Sequence, residues 1–140
     1  MTRTLSAFLG VVVAGLCDPA LAADLSQEKL DTLRWEARPV VIFADSPNDP
    51  RVADQLQLLE AEAAALEDRD VVILVDTDPS ARSYLRQKLR PRDFGFVLIG
   101  KDGQVKYRKP DPVPVRELVR LIDRMPMRQQ EIEAERRRTN

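Results

Sequence analysis

Beyond its first 22 residues this chain lacks both cysteine and histidine: its only cysteine is Cys17, and no position holds a histidine. Residues 23–140 therefore offer no thiol nucleophile, no imidazole base, no disulfide and no Cys or His metal ligand. Glycine is also scarce, and the five glycines form no phosphate-binding loop. These absences exclude thiol-dependent and histidine-dependent chemistry from the main part of the chain.

The chain also lacks an excess of charge of either sign. Its 22 basic and 23 acidic side chains give a formal net charge of −1. No net positive field draws such a protein to nucleic acid or to anionic lipid. We therefore expect no nucleic-acid partner.

Residues 1–22 have the pattern of a secretory signal peptide. Arg3 supplies the positive start, residues 5–16 form a short apolar run, and residues 20–22 (Ala-Leu-Ala) match a cleavage site. The run is shorter than the roughly 20 residues that span a bilayer, so we expect no stable membrane insertion after cleavage. Lipid attachment at Cys17 ranks second, because Leu16 stands where a small residue is required. We expect export, to the periplasm of a bacterial envelope or beyond it.

The rest of the chain has the pattern of one α/β domain, over residues 39–126. Strands are predicted at 39–44, 71–75, 94–99 and 104–108, and helices at 51–67, from about 79 to 89, and from 115. Two buried strands joined by a helix predict a parallel right-handed crossover, and Asp102-Gly103 predicts a hairpin. This βαβ-α-ββα order is that of a thioredoxin-like mixed sheet with helices on both faces.

Two flanking segments complete the predicted organisation. Residues 23–38 read as an amphipathic lead-in, in which Trp35 is expected to pack as a lid over a sheet edge. Residues 127–140 are highly charged, with almost nothing to bury, and are predicted to be a partly disordered tail, frayed beyond about Glu131.

Four segments resemble an uncharacterised, peroxiredoxin-like family, a domain of unknown function. They are Trp35-Glu36-Ala37-Arg38-Pro39, Asp49-Pro50-Arg51, Gly100-Lys101-Asp102-Gly103, and the run from Leu121 to Arg128, which reads LIDRMPMR. The family occurs in bacterial exported proteins and in vertebrate sushi-repeat and related matrix proteins. The resemblance implies a thioredoxin-like fold and no settled activity.

Redox members of this fold hold their cysteine in the loop after the first strand, where a helix dipole lowers the thiol pKa. Here that loop, residues 45–51, contains no sulfur. They also place a cis-proline just before the third strand, where this chain has Phe94-Gly95-Phe96. Thiol oxidoreductase activity is therefore rejected, and no catalytic residue is assigned.

The candidate ligand-binding edge lies at the carboxyl ends of the first two strands, where open α/β sheets bind ligands. Its members are Asp45, Asp49, Arg51, Asp76 and Arg92. Asp49 and Asp78 each precede a proline, which favours helix caps over metal ligands. Asp45 and Asp76 have no such explanation, and the arginines suit carboxylate or phosphate.

The sequence favours a non-catalytic binding or adaptor domain whose partner is an envelope protein or a small ligand, with no cofactor and no resident metal. The alternative is a cysteine-free enzyme, or a metal-binding or anion-binding protein, that uses Asp45 and Asp76. The sequence leaves the identity of the ligand open.

Overall fold

The computed structural model describes residues 24–140, so the predicted signal segment and Cys17 lie outside the described residues. The helices are α1 (Gln27–Leu33), α2 (Pro50–Ala61), α3 (Ala63–Glu67), α4 (Tyr84–Leu89), α5 (Val115–Asp123) and α6 (Pro126–Thr139). The strands are β1 (Arg38–Phe43), β2 (Val71–Asp76), β3 (Gly95–Ile99) and β4 (Val105–Lys109). A single 3₁₀ turn, Pro79–Ala81, precedes α4.

The four strands form one mixed sheet in the order β2-β1-β3-β4. β1 runs parallel to β2, with Val40 opposite Ile73, and antiparallel to β3, with Val40 opposite Leu98. β3 and β4 form the antiparallel hairpin that the Asp-Gly pair predicts. All six residues of β1 are buried, as expected of a central strand covered on both faces. The predicted mixed sheet is confirmed.

Alternation along β1 divides the core into two layers, because successive side chains leave opposite faces of a strand. Val40 and Ile42 join one cluster with apolar side chains of α2, α3 and α5. Val41 and Phe43 join the other cluster with α4 and, at its margin, α1. Helices therefore cover both faces of the sheet, in agreement with the sequence.

Two of the predicted helices are shorter than expected. The helix from residue 51 breaks at Glu62, where φ is −120°, and continues as the separate α3. The helix before Leu89 is divided by Arg82, whose φ of 46° lies in the left-handed region and ends the 3₁₀ turn. Ser83 then caps α4 by accepting a hydrogen bond from the Arg86 backbone N–H. Local capping set these boundaries more strongly than apolar periodicity did.

The charged tail differs from the sequence expectation. Residues 126–139 form the continuous helix α6, so the part beyond Glu131 that the sequence predicts to be frayed is helical. The first turns of α6 are anchored. Arg128 is buried, and the Glu131 carboxylate accepts hydrogen bonds from Arg38, at 3.0 and 3.2 Å, and from Lys101, at 2.7 Å. Composition suggested a solvated segment because nothing local shows that Glu131 meets two buried cations.

Trp35 also departs from expectation. It sits in the turn between α1 and β1 with a φ of 68°, and its side chain is 59% exposed. Its ring lies 5.7 Å from the Arg34 guanidinium carbon. Trp35 therefore stands at the surface and is not a lid over the sheet. Within residues 24–140, no helix has both the length and the apolar character needed to cross a bilayer.

Candidate functional site

The carboxyl ends of β1 and β2 meet as the topology requires, with Phe43 opposite Asp76. Asp45 and Asp76 both face the guanidinium of Arg86, which comes from α4. Arg86 lies 3.0 Å from an Asp76 carboxylate oxygen and 3.7 Å from an Asp45 oxygen. The two carboxylates are thus brought together, but around a cation of the chain itself.

Asp76 is fully engaged in this arrangement. Its side chain is 3% exposed and accepts hydrogen bonds from the Ser83 hydroxyl, at 2.5 Å, and from two nitrogens of Arg86. Arg86 also donates to the backbone carbonyls of Ala44 and Asp76, at 2.8 and 3.0 Å. These contacts tie the ends of β1 and β2 to α4, which gives Asp76 a structural role.

Asp49 caps α2, as its position before Pro50 predicts. Its carboxylate accepts from the Arg51 backbone N–H at 2.9 Å and from the Arg51 side chain at 3.0 and 2.7 Å. The hydrogen bond from Arg51 holds the pKa of Asp49 below its usual value, despite the opposing effect of desolvation. Arg51 also binds Asp93 at 2.9 Å. No group of three or more Asp or Glu side chains in residues 24–140 is placed to hold a metal ion.

A basic cleft of about 430 Å³ opens beside Asp49 and Arg51, at the end of the sheet where β1 finishes and β3 begins. Its floor is apolar and includes the buried rings of Phe43 and Phe94. Five cationic side chains line it; they are Arg51, Arg90, Arg92, Arg108 and Lys109. The only acid that the described residues contribute to the lining is Asp93, which is already paired with Arg51. We call this feature the arginine cleft.

Most cations of the arginine cleft are available to a ligand. Within the described part of the chain, Arg90, Arg92 and Arg108 form no salt bridge, and all three are exposed. Arg51 lies 5.2 Å from the centre of the Phe94 ring, which orients its guanidinium over the apolar floor. An apolar floor with unpaired guanidinium groups above it suits an anion that carries an apolar portion.

The predicted edge is therefore two separate features. Asp45 and Asp76 belong to the Arg86 cluster, whereas Arg51 and Arg92 line the arginine cleft next to Asp49. Sequence reasoning missed two kinds of residue: Arg86, which completes the first cluster, and the β4 residues Arg108 and Lys109, which extend the second. The spacing of Ser83 and Arg86, which is that of a helix cap and its first turn, could have indicated that Arg86 lies near Asp76. Only strand pairing reveals the second.

The fold defines the class of protein to which this chain is similar. The reduced 2-Cys peroxiredoxin of Plasmodium vivax matches 72% of this chain and 84% of its own, with a TM-score of 0.58 and 14% sequence identity. Thioredoxin peroxidase I of Plasmodium yoelii matches 72% of this chain and 79% of its own, with a TM-score of 0.55 and 16% identity. At these identities the likeness establishes a peroxiredoxin and thioredoxin-like fold alone.

A family model refines that class. The model described as "Domain of unknown function (DUF4174)" matches residues 29–131, from within α1 to the Glu131 contact in α6. The chain belongs to this family. The match includes β1–β4, the Arg86 cluster and the arginine cleft.

Proposed function

We propose that this chain is a non-catalytic binding domain of the bacterial envelope, and that it takes an anionic ligand in the arginine cleft. The observation that carries the proposal is the imbalance of charge in that cleft. Among residues 24–140, three arginines without a salt bridge and two further cations surround an apolar floor, and the one acid of the lining is already paired. Guanidinium groups bind carboxylate and phosphate through parallel hydrogen bonds, so an anion is the ligand that this lining favours.

The lack of thiol and imidazole groups in residues 24–140 favours a binding role over catalysis. Residues 24–140 contain no cysteine or histidine, and the carboxylates nearest the cleft are engaged with cations of the chain. The enzymatic alternative needs Asp45 and Asp76 to act on a metal or a water molecule. Asp76 is buried against Ser83 and Arg86, so this alternative is the weaker proposal.

Anion titration of arginine-cleft variants tests the ligand-binding part of the proposal. Inorganic phosphate, sulfate and phenyl phosphate are titrated at constant ionic strength, and backbone amide shifts are followed by NMR. We expect saturable shifts at Phe94 and Gly95, with phenyl phosphate binding more tightly because its ring reaches the apolar floor. Arg92→Gln/Arg108→Gln should weaken binding at least tenfold.

The matched control is Arg116→Gln/Arg120→Gln, which removes the same charge from exposed positions of α5 away from the cleft. It should leave the affinity within twofold of the parent protein. Equal weakening by both double variants, or no saturable shift with any of the three anions, would refute the cleft as a binding site.

Export has a separate test. The protein is expressed with a C-terminal tag in a Gram-negative cell, and the periplasmic fraction is isolated for N-terminal sequencing. A mature chain that begins at Ala23 supports the signal-peptide interpretation. A cytoplasmic product that retains residues 1–22 refutes it and leaves anion binding unaffected.

A further inference from the structure

The two outer edges of the sheet differ in chemistry. β2 and β4 are the terminal strands, so each has one edge with no backbone partner among residues 24–140. β2 reads Val-Val-Ile-Leu-Val-Asp, whereas β4 reads Val-Lys-Tyr-Arg-Lys and contains three cations and no acid. An open strand edge is a template on which another chain can pair. The charge on β4 selects which chain can do so.

The cations of β4 have unequal local partners. Lys106 pairs with Asp102 at 2.7 Å, and Lys109 lies 3.8 Å from Glu117, but Arg108 has no acidic partner within the described residues. Charged residues on an edge strand discourage pairing between copies of a protein, which accounts for Lys106 and Lys109. Arg108 differs from the two lysines because it has no acidic partner among the described residues and also lines the arginine cleft.

Strand pairing explains how Arg108 reaches the cleft. Arg108 lies opposite Val97 in β3, and cross-strand partners project from the same face of a sheet. Val97 belongs to the core layer on the α4 side, so Arg108 rises on that face. The same face carries Arg90 and Arg92, which follow the end of α4. The outer edge of β4 is thus continuous with the basic wall of the cleft.

We propose that the ligand of the arginine cleft is an extended acidic peptide segment of a partner protein, which pairs its main chain with the outer edge of β4. This inference rests on the proposed function and specifies its ligand. Main-chain hydrogen bonds to β4 supply affinity, and every second side chain of the added strand points to the α4 face. Asp or Glu at those positions reaches Arg108, and the cleft arginines beyond it supply the charge complementarity.

The decisive probe is an acetylated and amidated peptide of four Glu-Val repeats, labelled for fluorescence polarisation. Two further versions carry N-methyl groups on every second residue, one on the Glu nitrogens and one on the Val nitrogens. Along a strand, alternate N–H groups point to opposite sides, so only one set faces β4. One analogue should bind at least tenfold more weakly, and the other should keep its affinity within about threefold.

Arg92→Gln/Arg108→Gln should weaken binding of the unmodified peptide at least tenfold, and Arg116→Gln/Arg120→Gln should leave it within twofold. Amide shifts on binding should extend along residues 105–109, beyond the shifts produced by phenyl phosphate. Equal binding of the two N-methylated analogues means purely electrostatic contact and overturns the inference. Self-association of the protein is measured by analytical ultracentrifugation. If two copies pair through β4 and thereby prevent the peptide from binding, the inference is overturned as well.

These results separate the inference from the proposed function. If phenyl phosphate binds in an arginine-dependent way while the peptide does not bind, the cleft is an anion site and the peptide inference fails alone. If neither ligand depends on Arg92 and Arg108, both proposals fail.

Discussion

Replacing Glu131 with glutamine should destabilise the protein far more than its place in a charged, half-exposed helix suggests. The Glu131 carboxylate is the common partner of Arg38, which is 1% exposed, and Lys101, which is 8% exposed. Arg128 approaches it at 3.4 Å. The substitution keeps the shape of the side chain and leaves the two buried cations without their shared anion.

The size of the effect follows from the pKa of Glu131. Burial raises this pKa, but hydrogen bonds and charge from Arg38 and Lys101 outweigh burial and lower it from 4.5 to about 2. One pKa unit corresponds to about 1.4 kcal/mol, so the ionised carboxylate contributes about 3 kcal/mol to the free energy of unfolding. That agrees with the roughly 3–5 kcal/mol lost when one partner of a buried ion pair is removed.

The assay is urea unfolding followed by far-UV circular dichroism at pH 7, with Glu133→Gln as the matched control. Glu133 lies on the same helix, but its pair with Arg137 is exposed, with side-chain exposures of 61% and 81% and a separation of 3.7 Å. Exposed pairs of this kind contribute about 0.5 kcal/mol or less. Glu131→Gln should therefore lose about 3 kcal/mol, and Glu133→Gln almost nothing.

The pH dependence gives an independent check. Because the pKa of Glu131 is lower in the folded state, its contribution is complete above the unfolded value of 4.5 and is lost as the pH falls towards 2. The difference between wild type and Glu131→Gln should shrink to roughly half near pH 3. Equal losses in the two variants, or a difference that stays constant from pH 7 to pH 3, would refute the reasoning.

Four further substitutions test other parts of the fold by the same urea assay. Asp76→Asn should lower the free energy of unfolding by about 3 kcal/mol because it removes the charge of a buried acceptor that is paired with Arg86. The control Asp45→Asn, at a side chain that is 54% exposed, should change it by less than about 0.5 kcal/mol. Similar losses in the two variants would contradict the buried cluster. Gln55→Leu should lower the free energy of unfolding by about 3 kcal/mol, because the Gln55 side-chain amide forms two hydrogen bonds, at 2.7 and 3.0 Å, with the buried backbone of Val113. An unchanged midpoint of urea unfolding would contradict that pairing. Gly103→Ala should cost about 1 kcal/mol because the hairpin holds this residue at a φ of 81°, and a stabilising effect would mean that the turn can relax.

The sheet could be derived from the sequence because its determinants are local. The unbroken apolar runs of β1 and β2 require cover on both faces, the Asp-Gly pair requires a tight turn, and Asp49 before Pro50 marks a helix start. Each signal lies within a few residues of the structure it specifies. The structure confirms the strands, their directions and the Asp49 cap.

The ionic contacts could not be derived, because they join residues that are distant in sequence. Arg38 and Glu131 are 93 positions apart, and no sequence pattern near either residue indicates that the two are in contact. The same limit applies to Arg108, which reaches the cleft through its pairing with Val97. The sequence marked Asp76 as a carboxylate that helix capping does not explain. Its partner Arg86 was not identified, because periodicity predicted one long helix from about residue 79, whereas α4 begins at Tyr84.

Charge is organised in opposite ways at the two ends of β1, and this difference argues for where binding takes place. At its start, Arg38 and Lys101 are buried and matched by Glu131, and Lys101 also by Asp70, so these two cations are already neutralised within the chain. At its finish, Arg92 and Arg108 remain exposed and unpaired within the described residues, above a floor that includes the ring of Phe43. A buried cation without its partner lowers the free energy of unfolding by several kcal/mol, whereas an exposed cation can remain unpaired with little effect on stability. Stability and ligand binding should therefore be separable by mutation. Substitution of Glu131 should lower the free energy of unfolding and leave anion affinity unchanged. Substitution of Arg92 and Arg108 should weaken anion binding and leave the free energy of unfolding unchanged.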